Sequence, residues 1–89
     1  MTDRLYRVEF AGTARRSMAR LPEKVAAAAI EFCFGALASD PRRVGKPLTR
    51  ELAGLLVARR GEYRVIYRVD DDAVYVIRVE HRRDIYRSR

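Results

Sequence analysis

Two alternating runs in the second half of the sequence constrain the fold more than any other feature. Tyr63-Arg64-Val65-Ile66-Tyr67-Arg68-Val69 and Val74-Tyr75-Val76-Ile77-Arg78-Val79 are rich in β-branched and aromatic residues, and Asp70-Asp71-Asp72 separates them. Strand formers on both sides of a short polar turn make an antiparallel hairpin. A third signal, Leu55 to Arg59, turns at Gly61 and extends the hairpin to a meander. Along the first run, the period of two separates Tyr63, Val65, Tyr67 and Val69 from Arg64, Ile66 and Arg68. The first set is the natural core face, so Arg64 and Arg68 are expected on an open face.

Upstream, Tyr6-Arg7-Val8-Glu9-Phe10 alternates as a half-buried strand does, and Gly12-Thr13 breaks it, with Thr13 as a candidate helix cap. Ala14, Met18 and Leu21 share one face of a short helix that carries Arg15, Arg16 and Arg20 outside. Pro22 ends it and opens a second helix to about Ala38. There Val25, Ala28, Ala29, Phe32 and Ala36 form an apolar stripe that Ile30, Phe34 and Leu37 widen, so that helix is expected to be largely buried. Gly35 within it suggests close packing. From Arg42 to Gly54 the pattern is irregular and basic, as in a loop. The expected architecture is α+β in the order β-α-α-β-β-β: one small domain over residues 1–89, an antiparallel sheet with a helical hairpin packed on one face.

A chain of 89 residues has a thin core. Its net charge of +7 comes mostly from arginine, with Lys24 and Lys46 the only lysines. A surface of this sign fits nucleic acid, an acidic protein or an anionic membrane. Guanidinium groups grip phosphate bidentately and stack on bases, which lysine does not do. Cys33, the single cysteine, falls in an apolar stretch and reads as packing; it excludes a disulfide and a cysteine-rich zinc site. With no signal-like or membrane-spanning apolar run, a cytoplasmic location is expected.

The stretch Leu52-Ala53-Gly54, Ala58-Arg59-Arg60-Gly61-Glu62-Tyr63-Arg64-Val65-Ile66-Tyr67 resembles the second half of RelE-type toxins of the RelE/ParE toxin–antitoxin superfamily. So do Gly45-Lys46-Pro47-Leu48 and Ile77-Arg78-Val79-Glu80-His81-Arg82-Arg83-Asp84-Ile85-Tyr86. The resemblance spans nearly the whole chain. It implies a ribosome-dependent endoribonuclease that cuts mRNA in the A site by attack of the messenger's own 2′-hydroxyl, with no metal or other cofactor. It also implies a cognate antitoxin protein, whose complex with the toxin binds operator DNA; no membrane partner is expected. By position it assigns Arg64 to the scissile phosphate, Arg82 to protonation or charge stabilisation of the leaving group, Tyr86 to the substrate base, and Arg59 to the basic end of the preceding strand. Arg42, Arg43, Lys46, Arg60 and Arg83 are candidate nucleic-acid contacts.

The sequence departs from the enterobacterial pattern at Leu55 and Val57, where that type carries two lysines, at Glu80, where glycine is common, and in ending soon after Tyr86. The identity of the general base therefore stays open among His81, Tyr86, Glu62 and Glu80; His81 alone titrates near neutrality without a large shift. Two other readings also stay open. One is a ParE-type gyrase inhibitor of the same fold, against which Tyr86 and Arg59-Arg60 weigh. The other is a non-catalytic nucleic-acid-binding or co-repressor module.

Overall fold

The computed structural model describes residues 5–48 and 54–82. Strand β1 (Arg7–Phe10) leads into α1 (Gly12–Ala19) and α2 (Glu23–Phe32), which continues as a π-helical stretch over Cys33–Leu37. A short helix α3 (Pro41–Val44) and a two-residue strand β2 (Lys46–Pro47) follow, then β3 (Leu56–Arg60), β4 (Tyr63–Asp70) and β5 (Ala73–His81). The α+β class and the helix-covered sheet are as the patterning predicts. Of the region expected to be a loop, residues 42–54, the first part instead forms α3 and β2, with proline in its tolerated place at the first helical turn, and residues 49–53 lie outside the described residues.

The strands form one sheet in the order β1-β5-β4-β3-β2. All neighbours are antiparallel except β1 and β5, which are parallel, so the sheet is mixed rather than antiparallel throughout. Two-residue turns force β3, β4 and β5 to alternate; β1 is joined to β5 by no hairpin, so packing alone sets its direction. Both turns use left-handed backbone, at Gly61 (φ 50°) and at Asp71 (φ 45°).

Strand β1 covers β5 only as far as the pair Phe10 and Val76. Beyond it, α1 takes over as the partner of that edge. The Ala11 amide donates to the Val76 carbonyl, the Thr13 hydroxyl to the Ile77 carbonyl, and the Val79 amide to Ser17 Oγ at 3.0 Å. Thr13 thus does not cap α1, whose N-cap is Ala11 with no side-chain bond. A buried strand edge needs these donors and acceptors met, and helix side chains meet them here.

In α2 the buried stripe runs Val25, Ala29 and Phe32 and then shifts to Cys33 and Leu37, because the π-helical stretch alters the helical repeat. Ala28 and Ala36 face outward, and Ile30 and Phe34 are 40% and 54% exposed, so this helix buries less of its apolar surface than expected. Gly35 lies in that stretch with open space around it, not in close packing. Cys33 is in the core, and burial pushes its thiol up to about 12, which leaves it protonated and inert.

Tyr67, in the middle of β4, is fully buried, and its hydroxyl donates to the Pro41 carbonyl at 2.6 Å. A side-chain carbon at Gly45 would collide with that hydroxyl, so glycine is required there for the chain to pass. Tyr67→Phe leaves the Pro41 carbonyl without its partner and should cost about 1–2 kcal/mol in a denaturant melt. Burial also pushes the Tyr67 phenol up to about 12 from its ordinary value near 10. The folded state therefore holds this proton more tightly than the unfolded chain, and its contribution is full below about pH 10 and lost as pH rises towards 12. Alkaline melts of the Tyr67→Phe variant should fall less steeply over that window.

Candidate nucleic-acid interface

The register of the sheet places side chains in rows across the face away from α1 and α2, since directly paired residues share a face. One row reads Lys46, Val57, Ile66, Arg78 from β2 to β5. The next reads Arg59, Arg64, Glu80. The two rows hold four cations, Lys46, Arg78, Arg59 and Arg64, against the one carboxylate of Glu80. Arg64 is where the period of two predicts it. Val65, Tyr67 and Tyr63 are buried on the other side, as expected.

Glu80 organises the second row. Its Oε1 accepts from Arg64 Nε at 2.7 Å and its Oε2 from Arg78 Nε at 2.9 Å. Arg64 and Glu80 are only 26% and 20% exposed, so water screens this pair less than a surface pair. Because Arg64 bonds through Nε, its two terminal nitrogens stay outside that contact and can grip a phosphate. Glu80, one of the base candidates, thus bridges the guanidinium groups of Arg64 and Arg78.

Its place opposite Arg64 depends on an irregularity between β4 and β5. From the turn, Tyr67 pairs with Val76 but Ile66 pairs with Arg78, so β5 carries one extra residue. Without that bulge Val79 would face Arg64. The signal is present in the sequence: the apolar positions Val74 and Val76 are followed by Val79, not by residue 78, where an arginine stands.

The cations differ in how they are occupied. At the β1 side of the sheet, Arg7 bonds Glu9 and Asp72, and Arg68 lies over the Tyr75 ring at 4.5 Å. At the other edge, Lys46 and Arg59 make no ion pair with any described acidic residue. A groove of about 450 Å³ opens there, lined by Val44, Lys46, Pro47, Leu48, Val57, Arg59 and Arg60. Among the described residues of these two rows, the cations without an ion pair are thus Lys46 and Arg59, on β2 and β3 beside Arg64.

The remaining candidates are scattered. Arg60 belongs to the opposite face by its pairing with Tyr63; its guanidinium lies over the Phe32 ring at 4.7 Å and donates to the Arg59 carbonyl, although it also borders the groove. His81 likewise pairs with Tyr63, on the helix side, with its side chain 12% exposed and Nε2 3.7 Å from Glu62 Oε1. It does not share a face with Arg64. Arg82 follows it, exposed, with its amide bonded to the Glu62 carbonyl. Arg42 and Arg43 are exposed on α3. Arg83 and Tyr86 lie outside the described residues. Of the family's missing lysines, Val57 lies in the first row and Leu55 just before β3.

The chain matches, over residues 8–86, the family model described as ParE toxin of type II toxin–antitoxin system, parDE. It is 56% identical over 84 residues to Toxin RelG of Mycobacterium tuberculosis, which covers 92% of this chain and 97% of that protein. It is 49% identical over 87 residues to Toxin RelE of the same organism, covering 96% and 90%. Among solved structures, the M. tuberculosis toxin–antitoxin complex RelBE2 contains a chain that superposes with a TM-score of 0.85 at 54% identity, covering 88% of this chain and 92% of that one. The archaeal RelE–RelB complex from Pyrococcus horikoshii gives 0.66 at 27% identity, covering 88% and 96%.

Replacing Glu80 by Gln removes the charge that holds Arg64 and Arg78 together. The expected loss is about 1–2 kcal/mol at low salt, between the scales of exposed and buried pairs. Melts at low and at 1 M salt check it: the gap between variant and wild type should narrow as salt rises.

Proposed function

The chain belongs to the toxin family of type II toxin–antitoxin systems, as a RelE-type member, and from that membership we propose that it is a ribosome-dependent endoribonuclease. The observation that carries this reading is the row Arg59, Arg64, Glu80: two arginines paired directly across neighbouring strands, one of them held by a carboxylate. An RNA phosphate attacked by its own 2′-hydroxyl gathers charge on its non-bridging oxygens, and fixed guanidinium groups stabilise that charge. The bond from phosphorus to the 5′-oxygen breaks, leaving a 2′,3′-cyclic phosphate and a 5′-hydroxyl. Arg64 grips the phosphate, with Arg59 beside it, and Arg82 serves the leaving group. Arg42 and Arg43 contact RNA further along, and Arg83 and Tyr86 complete the set with phosphate contact and base stacking. Action on ribosomes places the protein in the cytoplasm; among the described residues no helix is long and apolar enough to cross a membrane.

The two solved relatives named above are complexes of toxin with antitoxin, and a basic chain of this kind fits an antitoxin whose covering segment is acidic or amphipathic. The pair together binds operator DNA. A second reading, inhibition of DNA gyrase, is favoured by one observation, the ParE description of the matching family model.

Induction without antitoxin should halt translation and leave new mRNA 5′-ends within codons, mapped by primer extension. Continued translation with accumulating DNA breaks would establish the gyrase reading instead. Arg64→Ala should slow single-turnover cleavage on programmed ribosomes by about 10²–10³-fold. His81→Gln tests the one histidine of the sequence as the general base. Because the pleat sets His81 on the face away from Arg64, the rate and its acidic limb should be retained. A fall of about 10²-fold with loss of that limb would make His81 the base after all.

A further inference from the structure

We propose that Lys46 supplies a cation to the reacting phosphate, acting with Arg59 and Arg64 across three strands of the sheet. This rests on the endoribonuclease reading above and assigns it a further catalytic residue.

The first support is register. Lys46 pairs directly with Val57, and Val57 lies two residues from Arg59 on the same face of β3. Arg59 in turn pairs with Arg64. Strands two apart in a sheet are separated by about 10 Å, a gap that lysine and arginine side chains close when one phosphate sits between them. The β3 position nearest that phosphate, Val57, is apolar, so β3 contributes charge there only through Arg59. The edge strand supplies the missing cation from one position across.

The second support is availability. Arg64 and Arg78 share the carboxylate of Glu80, and Arg68 rests on Tyr75. Lys46 is exposed, has no ion-pair partner among the described residues, and lines the same groove as Arg59. The position is also fixed. Gly45, immediately before it, is packed against the Tyr67 hydroxyl and the Val57 carbonyl, which pins the start of β2 to the core. An ammonium on a flexible stem, held at its root, brings three donors to an oxygen whose place changes as phosphorus becomes five-coordinate.

In the step, the 2′-oxygen bonds to phosphorus and gives up its proton to the base, and the 5′-oxygen leaves and takes up a proton. Lys46 stays protonated throughout; it neither gives nor accepts a proton, and stabilises the negative charge on a non-bridging oxygen.

The test is single-turnover cleavage on programmed ribosomes at saturating toxin, with a thermal melt of each variant. Lys46→Ala should be slower by about 10²-fold, with an unchanged melt, since the side chain is exposed. Lys46→Arg should recover most of the rate, because charge is what matters. Lys46→Ala combined with Val57→Lys should recover part of it, because the register sets residue 57 beside the vacated place; should that double variant not fold, Lys46→Arg decides alone. Lys24→Ala, on α2, should keep the wild-type rate. The proposal is overturned if Lys46→Ala regains the wild-type rate at saturation, which makes Lys46 a docking contact, or if its melt falls with its activity. It is also overturned if Lys46→Arg is as slow as Lys46→Ala. A wild type that cuts no RNA overturns the endoribonuclease reading, and this inference with it.

Discussion

The hydrogen bond from Tyr67 to the Pro41 carbonyl is the point on which the rest of the structure depends. Tyr67 is the largest fully buried side chain, at the centre of the longest stretch of ladder, and its one polar atom reaches out of the core to the segment that follows the helices. That bond fixes α3, and the glycine that packs against the same hydroxyl fixes the start of β2. In a domain this small the apolar core is thin, and a buried hydroxyl with a single well-placed acceptor contributes specificity that apolar contact alone would not. The basic edge of the sheet is thus anchored through the middle of the molecule.

The second dependence is at β5. This strand has β4 along its whole length but β1 along only its first half, and Thr13 and Ser17 of α1 serve the remainder of its edge. Helix α1 is therefore a structural partner of the strand that carries Glu80, while Arg15 and Arg16 on it, and Arg20 just after it, face solvent. The division of labour is clear from the chemistry of the side chains. Small hydroxyls point in and satisfy the strand; guanidinium groups point out and set the field around the molecule.

Charge on the sheet is arranged by strand pairing, not by local sequence. At one side the cations are held by Glu9, Asp72 and the Tyr75 ring; in the middle Glu80 holds two of them; at the β2–β3 edge Lys46 and Arg59 have no ion pair among the described residues. Under the proposed function, RNA meets Lys46 and Arg59 without displacing a described ion pair.

Much of this was legible in the sequence. The alternating runs around Asp70-Asp71-Asp72 determined the hairpin and placed Arg64 and Arg68 opposite Tyr63, Val65 and Tyr67, because a pleated strand leaves side chains no other choice. The motif around Tyr63-Arg64 determined the family. Three things waited for the tertiary structure. The direction of β1 was undetermined because no short connection ties it to β5. The π-helical stretch in α2 moved the buried stripe from Ala36 to Leu37, since one altered turn rotates everything after it. The pairing of Arg64 with Glu80, of His81 with Tyr63 and of Lys46 with Val57 depended on a bulge and on an edge strand of two residues. A period of two tells which residues share a face within one strand; which residues meet across strands is a matter of register, and register is decided by how the whole sheet packs.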